Sequence, residues 1–310
     1  MFKQSKHKLF NSLLIASVSV SSVMAQADVS AFFPEKNELS IAPSYTYKIS
    51  ERFFRGIPLN PGNPLGVGDI RSYIVNIYAE YGITDRISAN LSIPYIWLEG
   101  DVLESNELVP ITEVDDFQDL SLEIKGKIFG TDVDGIGNIS LGAVAGITTP
   151  LSDYEGSGVI SIGNATTTYN GGLIAQYITP QNIFLALKGG YSYRDTNDAG
   201  VPNATVWAAK LGYFNDFLYL DTQLSHQNSL DGIDIGTPEF AAAGGPAALQ
   251  QTENDFMLWS FSLFVPIYES IGITSSYVNT IDGRNFGKEK GFSIGLVYSP
   301  DLGGSDDNKE

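Results

Sequence analysis

The feature that most limits what this chain can become is a period of two, repeated twelve times. In YGITDRISANLSIPYIW, Tyr81 to Trp97, one parity holds Ile87, Ala89, Leu91, Ile93, Tyr95 and Trp97. The other holds Arg86, Ser88, Asn90 and Ser92. Successive strand side chains point to opposite faces, so such a strand has one apolar and one polar face. The alternation recurs near 38–50, 70–81, 85–98, 118–129, 138–149, 166–178, 183–194, 204–213, 217–227, 255–265, 271–280 and 290–299. Each segment has about the 9–11 residues that a tilted strand needs to cross a bilayer.

The links between these segments decide which apolar medium the greasy face meets. The even-numbered links are short: GITD, TDVDGIG, TPQN, FND and PIYES. Most odd-numbered links are long, at 51–69, 99–117, 150–165 and 228–254, with shorter ones near 195–203 and 281–289. Outer-membrane barrels have short periplasmic turns and longer outside loops. The predicted fold is therefore all-β: a membrane-spanning, antiparallel up-and-down barrel of about twelve strands, with residues 38–299 as the barrel. Outward aromatics cluster at two heights, Tyr45, Tyr47, Tyr73, Tyr95, Trp97 and Trp207 toward the long loops and Tyr81, Tyr177, Tyr213 and Tyr298 toward the short turns. Two girdles at the two interfaces are expected of a membrane barrel.

The N-terminus agrees. Lys3, Lys6 and Lys8 precede a short apolar run, and small residues end at Ala25 or Ala27, so residues 1–25 read as a signal peptide with cleavage after 25 or 27. Residues 28–37 then form a short periplasmic segment whose Phe32–Phe33 wedge is placed to enter the inner mouth, and 300–310 form an acidic disordered tail. The implied location is the outer membrane of a Gram-negative bacterium. The net charge of −18 argues against nucleic acid as a partner. The partners expected instead are outer-membrane lipid and lipopolysaccharide outside and a small-molecule permeant within, for a monomeric barrel.

Parity assigns the lumen. Inward basic residues are Lys48, Arg86, Lys125, Lys127, Lys188, Arg194 and Lys210, and inward acids are Glu80, Glu123 and Asp221. Near mid-height Glu123, Lys125, Lys188 and Asp221, with Asn76, Asn90, Gln176 and Gln223, form a candidate constriction of the kind that tunes selectivity. Pairing Tyr81 with Asp85 across the GITD turn would set Glu80 opposite Arg86 as an ion pair at the periplasmic mouth. The excess of inward bases predicts a weak anion preference.

Tyr81, Gly82, Thr84, Asp85, Arg86, Pro94 and Tyr95, with the GDI at Gly68–Ile70 and DFQDLSLEIKGKIFG, resemble the signature of the outer-membrane channel family named for the MetA pathway of phenol degradation. The resemblance spans 38–299 and implies a transporter. It tilts the substrate toward small hydrophobic or aromatic compounds.

Other chemistry finds little support. The run from Glu99 to Asp119 is strongly acidic, with Asp101, Glu104, Asp115 and Asp116 as a weak candidate cation site, but it lacks EF-hand spacing. GTDVDGIGN is a turn rather than a phosphate loop, since no helix or lysine follows in place. His226, the sole histidine beyond the signal segment, stands in Ser225-His226-Gln227-Asn228, without the serine two residues after the histidine that the outer-membrane phospholipase motif requires. No catalytic residue or cofactor is expected. The reading is a passive channel for small solutes; the alternatives are a general polar or weakly anion-selective pore and a structural or surface-binding barrel with a filled lumen.

Overall fold

The computed structural model describes residues 31–102, 107–195, 200–300 and 302. The signal segment, the start of the periplasmic segment through residue 30 and nearly all of the acidic tail lie outside the described residues. Twelve long strands make the wall: β1 (Leu39–Phe54), β3 (Ile70–Thr84), β4 (Ile87–Gly100), β6 (Asp119–Val133), β7 (Gly137–Pro150), β8 (Thr167–Ile178), β9 (Ile183–Asp195), β10 (Ala204–Asn215), β11 (Leu218–Ser229), β12 (Asp255–Tyr268), β13 (Ile271–Arg284) and β14 (Phe286–Tyr298). Two short strands, β2 (Leu59–Pro61) and β5 (Glu113–Phe117), add to β1 and β4 at the outer rim. Every long strand pairs antiparallel with its neighbours in chain order, and β14 returns to β1 with Tyr45 opposite Ile294 and Tyr47 opposite Phe292. Closure leaves no long strand with an open edge, which a backbone inside hydrocarbon cannot tolerate.

The outward rows follow the parity read from sequence. Val75, Ile77, Leu122, Ile124, Leu185, Leu187, Phe261, Ile294 and Leu296 stand exposed on the wall, flanked by Tyr45, Trp97, Tyr191 and Trp207 above and Tyr81 and Tyr298 below. Along β1 the inward positions are buried and small or polar at Ser40, Ser44, Thr46 and Ser50.

Three local expectations change. Residues 113–117 of the acidic run continue the ladder as β5, with Trp97 opposite Asp115. In the link near 281–289 only Asn285, with a φ of 47°, is outside a strand: the β13–β14 ladder ends at Asn279 opposite Lys290, and beyond it Arg284 pairs with Asp255 of β12 and Phe286 with Phe54 of β1. The turn falls at Asp85–Arg86 rather than GITD: Thr84 faces Ile87, and past a register shift at Gly82 Tyr81 faces Ala89 and Glu80 faces Asn90. Arg86 is thus exposed in the turn itself rather than opposite Glu80.

The outside loops fold over and into the barrel. Tyr154, Ile160 and Ile162 from residues 151–166 pack with Val67, Ile74, Ile96, Leu98 and Val109. The Tyr154 hydroxyl donates to Asp119 Oδ1 at 2.5 Å and accepts from the Ala165 N–H, and burial pushes that hydroxyl's pKa up. Residues 230–254 carry a helical turn, Pro238–Ala242, capped by Thr237, and a 3-10 segment, Gly245–Gln251. This loop is held down by Asp234, which accepts two bonds from Arg284 at 2.8 and 2.9 Å.

Candidate permeation pathway

The inner half of the lumen is closed by side chains. Phe32 lies among inward rings, 5.2 Å from Phe184 and 6.1 Å from Phe214, both edge-on, while Phe184 stacks on Tyr219 at 5.5 Å. Ala31, Tyr78, Val144, Ile174, Phe264 and Val297 complete this apolar cluster. Glycines make the room: a Cβ on Gly212 would lie 2.4 Å from the Phe184 ring, and one on Gly272 would lie 2.0 Å from Phe264. Gly82 and Gly142 do the same for the N-terminal segment, since a Cβ there would lie 1.9 Å from the Glu35 carbonyl oxygen and 2.7 Å from Phe33. Asn37 N–H donates to the Gly82 carbonyl and Gly82 N–H to that of Glu38, which fixes the segment along β3. The wedge expected from Phe32 and Phe33 is thus seated at the inner mouth.

Above this floor lies a buried charge cluster. Lys125 Nζ sits 2.7 Å from Glu80 Oε1, with the two side chains 2% and 0% exposed. Lys125 also donates to the Phe32 carbonyl at 3.1 Å, tying the N-terminal segment to the wall. Ser88 Oγ donates to Glu80 Oε1 at 3.2 Å, and the Asn90 amide, oriented by its neighbours, donates to the same oxygen at 3.0 Å. The acid expected to pair with Arg86 at the mouth therefore pairs with Lys125 inside. The place of the turn, at Asp85–Arg86, is the cause. Lys127 lies over the Phe33 ring, 5.1 Å from its centre.

Other constriction residues make contacts of their own. Glu123 reaches Lys188 at 3.6 Å across β7 and β8, passing Gly146, where a Cβ would lie 2.7 Å from its Cγ. Asn76 accepts from Ser92 at 3.0 Å, and Gln223 donates to Ser225 at 2.6 Å. Gln176 and Asp221 are buried in the wall on β8 and β11. Glu289, which parity had not placed in the lumen, holds Lys48 at 2.9 Å. Lys125 and Lys188, on which the anion preference was placed, each have an acid beside them.

The outer half is open. A cavity of about 320 Å³ is lined by Lys48, Ser121, Thr148, Arg194, Gln227 and Glu289 on its polar side and by Ile96, Leu98, Val206 and Phe256 on its apolar side, among others. Among the described residues the acidic run does not converge on a cation site. Asp101 is engaged by Arg71 through two bonds of 2.9 Å, and Asp115 accepts from the Tyr95 hydroxyl at 2.5 Å. Asp115 and Asp116 are successive strand residues on opposite faces, and Glu104 lies outside the described residues. Among the described residues no group of three or more His, Asp or Glu side chains is arranged to hold a metal. His226 stacks on Trp207 with ring centres 5.4 Å apart.

Residues 71–264, from β3 through β12, match the protein family described as "Putative MetA-pathway of phenol degradation". The chain belongs to that family. Among solved structures it is similar to an outer membrane channel from Pseudomonas putida F1, with a TM-score of 0.64 and 14% identity over 89% of this chain and 98% of that one. It also matches the KdgM porin, with a TM-score of 0.45 and 8% identity over 84% and 99% of the two chains. The CymD monoaromatic hydrocarbon channel matches with a TM-score of 0.39 and 10% identity over 86% and 89%. No curated protein sequence matches. The first likeness shows the fold, a twelve-stranded outer-membrane barrel, and agrees with the outer-membrane location read from sequence.

For this family member, the sequence reading missed the inward aromatics Phe184, Phe214, Tyr219 and Phe264. Their signal was present: each lies on the polar parity of its strand, and Phe184 and Phe264 face inward glycines. Gln118 and the inward fold of residues 151–166 had no comparable signal.

Proposed function

We propose that this barrel is a passive outer-membrane channel for small solutes with an apolar body, acting as a monomer surrounded by outer-membrane lipid and lipopolysaccharide. The observation that carries the reading is the division of the lumen. A cavity of mixed polar and apolar lining occupies the outer half, and a short N-terminal segment, rather than a folded domain, closes the inner half. A solute entering from outside would meet apolar wall beside hydrogen-bonding groups, then a floor opened by withdrawing Phe32. Membership in a family described by phenol degradation supports aromatic compounds as the substrate class.

The paired lumenal charges and filled inner mouth favour one second reading, a structural barrel that conducts nothing. Conductance and liposome-swelling measurements on the full-length protein and on Phe32→Ala separate the two. A channel predicts measurable flux that rises when the floor loses its ring. Silence from both proteins would establish the structural reading.

A further inference from the structure

Among the described residues, the pairing of charges leaves the outer cavity with one cation that has no acid. Of the basic residues lining it, Lys48 is neutralised by Glu289. Arg194 donates to neutral oxygens instead, the Pro202 carbonyl and Gln227 Oε1, the latter at 3.0 Å. The other acid of the lining, Asp119, is turned to the Tyr154 hydroxyl. Arg194 is 9% exposed. A guanidinium withdrawn from bulk water without a counter-charge is strongly unfavourable, and its planar fork of donors matches a carboxylate.

A second group in the same lining is an acceptor that needs a donor, so it marks a polar site without bearing on the carboxylate, which rests on Arg194. Gln118, at the irregularity between β5 and β6, is 4% exposed, and its Oε1 is buried without a hydrogen-bond partner. Its backbone is fully used, the N–H donating to Pro94 and the carbonyl accepting from Leu151. Buried polar groups are nearly always satisfied, and an exception needs an explanation. Ile96, Leu98, Val206, Phe256 and Phe286 line the same space with hydrocarbon. A volume of about 320 Å³ sits at the small end of ligand pockets, which run from roughly 300 to 1,000 Å³.

We propose that the outer cavity is a binding site for a small monocarboxylate with an apolar body, its carboxylate seated on Arg194 and its body against the apolar wall. This deepens the channel reading and rests on it, because it takes the outer cavity as the entrance to the solute path. The selectivity expected from Lys125 and Lys188 moves outward to Arg194, a cation with no acidic partner among the described residues.

Benzoate is the probe, with benzyl alcohol as its neutral counterpart and acetate as the carboxylate without the body. Calorimetric titration of the purified full-length protein in detergent should show benzoate binding more tightly than either. Arg194→Gln should weaken benzoate binding by about tenfold or more, the loss of one charge-assisted pair, and Arg194→Lys should keep part of it. In proteoliposomes the ratio of benzoate to benzyl alcohol flux should fall in Arg194→Gln. Equal binding of benzoate and benzyl alcohol by the wild-type protein would overturn the proposal without any variant, so a variant that fails to fold leaves the test intact. Unchanged benzoate affinity in a folded Arg194→Gln would overturn it too, and acetate binding as tightly as benzoate would refute the apolar half. Arg194-dependent binding with no flux of either solute would keep the site and reject the channel.

Discussion

Glu80 and Lys125 form the lumenal pair whose removal is best defined by the structure. At 2.7 Å and with both side chains essentially inaccessible, their gross attraction at an effective dielectric near 20 is about 6 kcal/mol. Much of that offsets the desolvation of two ions, so the net value of the intact pair is far smaller. Removing one partner is different, because it strands the other charge in place; that costs about 3–5 kcal/mol in buried pairs. Lys125→Met should therefore destabilise the barrel by roughly that amount, with part of the loss coming from the bond to the Phe32 carbonyl. Glu80→Gln alone should also be costly, since it leaves the ammonium unneutralised. The double variant should recover a large fraction of the summed loss, giving a coupling of about 2–3 kcal/mol, as expected of residues in direct contact. Urea unfolding of refolded protein in micelles, followed by the gel shift between folded and unfolded barrel, measures all four corners of the cycle. Additive losses, with a coupling below about 0.5 kcal/mol, would show that the two residues do not meet.

Other outcomes rest on the same geometry. Leu187, outward and exposed on β9, should lose about 2–4 kcal/mol on replacement by Arg, whereas Leu230→Arg in an outside loop should change stability by less than about 0.5 kcal/mol; equal losses in urea titrations would contradict the lipid-facing assignment. Gly82→Val places a side chain against the Glu35 carbonyl and should displace the N-terminal segment, raising conductance as Phe32→Ala does. The Asp234 carboxyl is held below the usual aspartate range by its bonds from Arg284. A depressed carboxylate pKa stabilises the docked loop above the ordinary aspartate value, and that contribution disappears as pH falls through the folded pKa. Burial pushes neighbouring Glu253 up despite the same arginine. Protease cutting within 230–254 should thus stay slow at neutral pH and rise only in acid, while Asp234→Asn should be cut readily at neutral pH. Resistance of that variant at pH 7 would mean the ion pair does not hold the loop.

The turn and the wall differ in how far sequence predicts them, for one physical reason. Inward or outward placement of Leu122, Leu185 or Phe261 depends on alternation within a strand, so it survives small errors in the strand's ends. The Glu80–Arg86 pairing depended on where a four-residue turn was placed, and a turn at Asp85–Arg86 instead of GITD was enough to cancel it. Parity put Lys125 and Glu80 on the same lumenal wall, yet nothing in the order of residues indicates that two positions on non-adjacent strands would meet.

By itself, the sequence determined the barrel: its closed antiparallel order, its twelve crossings, its lipid-facing rows and its two aromatic girdles. Those follow from a two-residue period and the bilayer's demand that every backbone polar group be paired, both of which act strand by strand. Tertiary structure alone decided what the lumen contains. It seated Phe32 against Phe184 and Phe33 over Gly142, folded residues 151–166 inward, gave Lys48, Lys125 and Lys188 their acids and left Arg194 beside neutral oxygens. Inside a closed barrel, side chains from strands far apart in sequence share one small volume, and which of them touch is fixed by register and stagger around the whole ring.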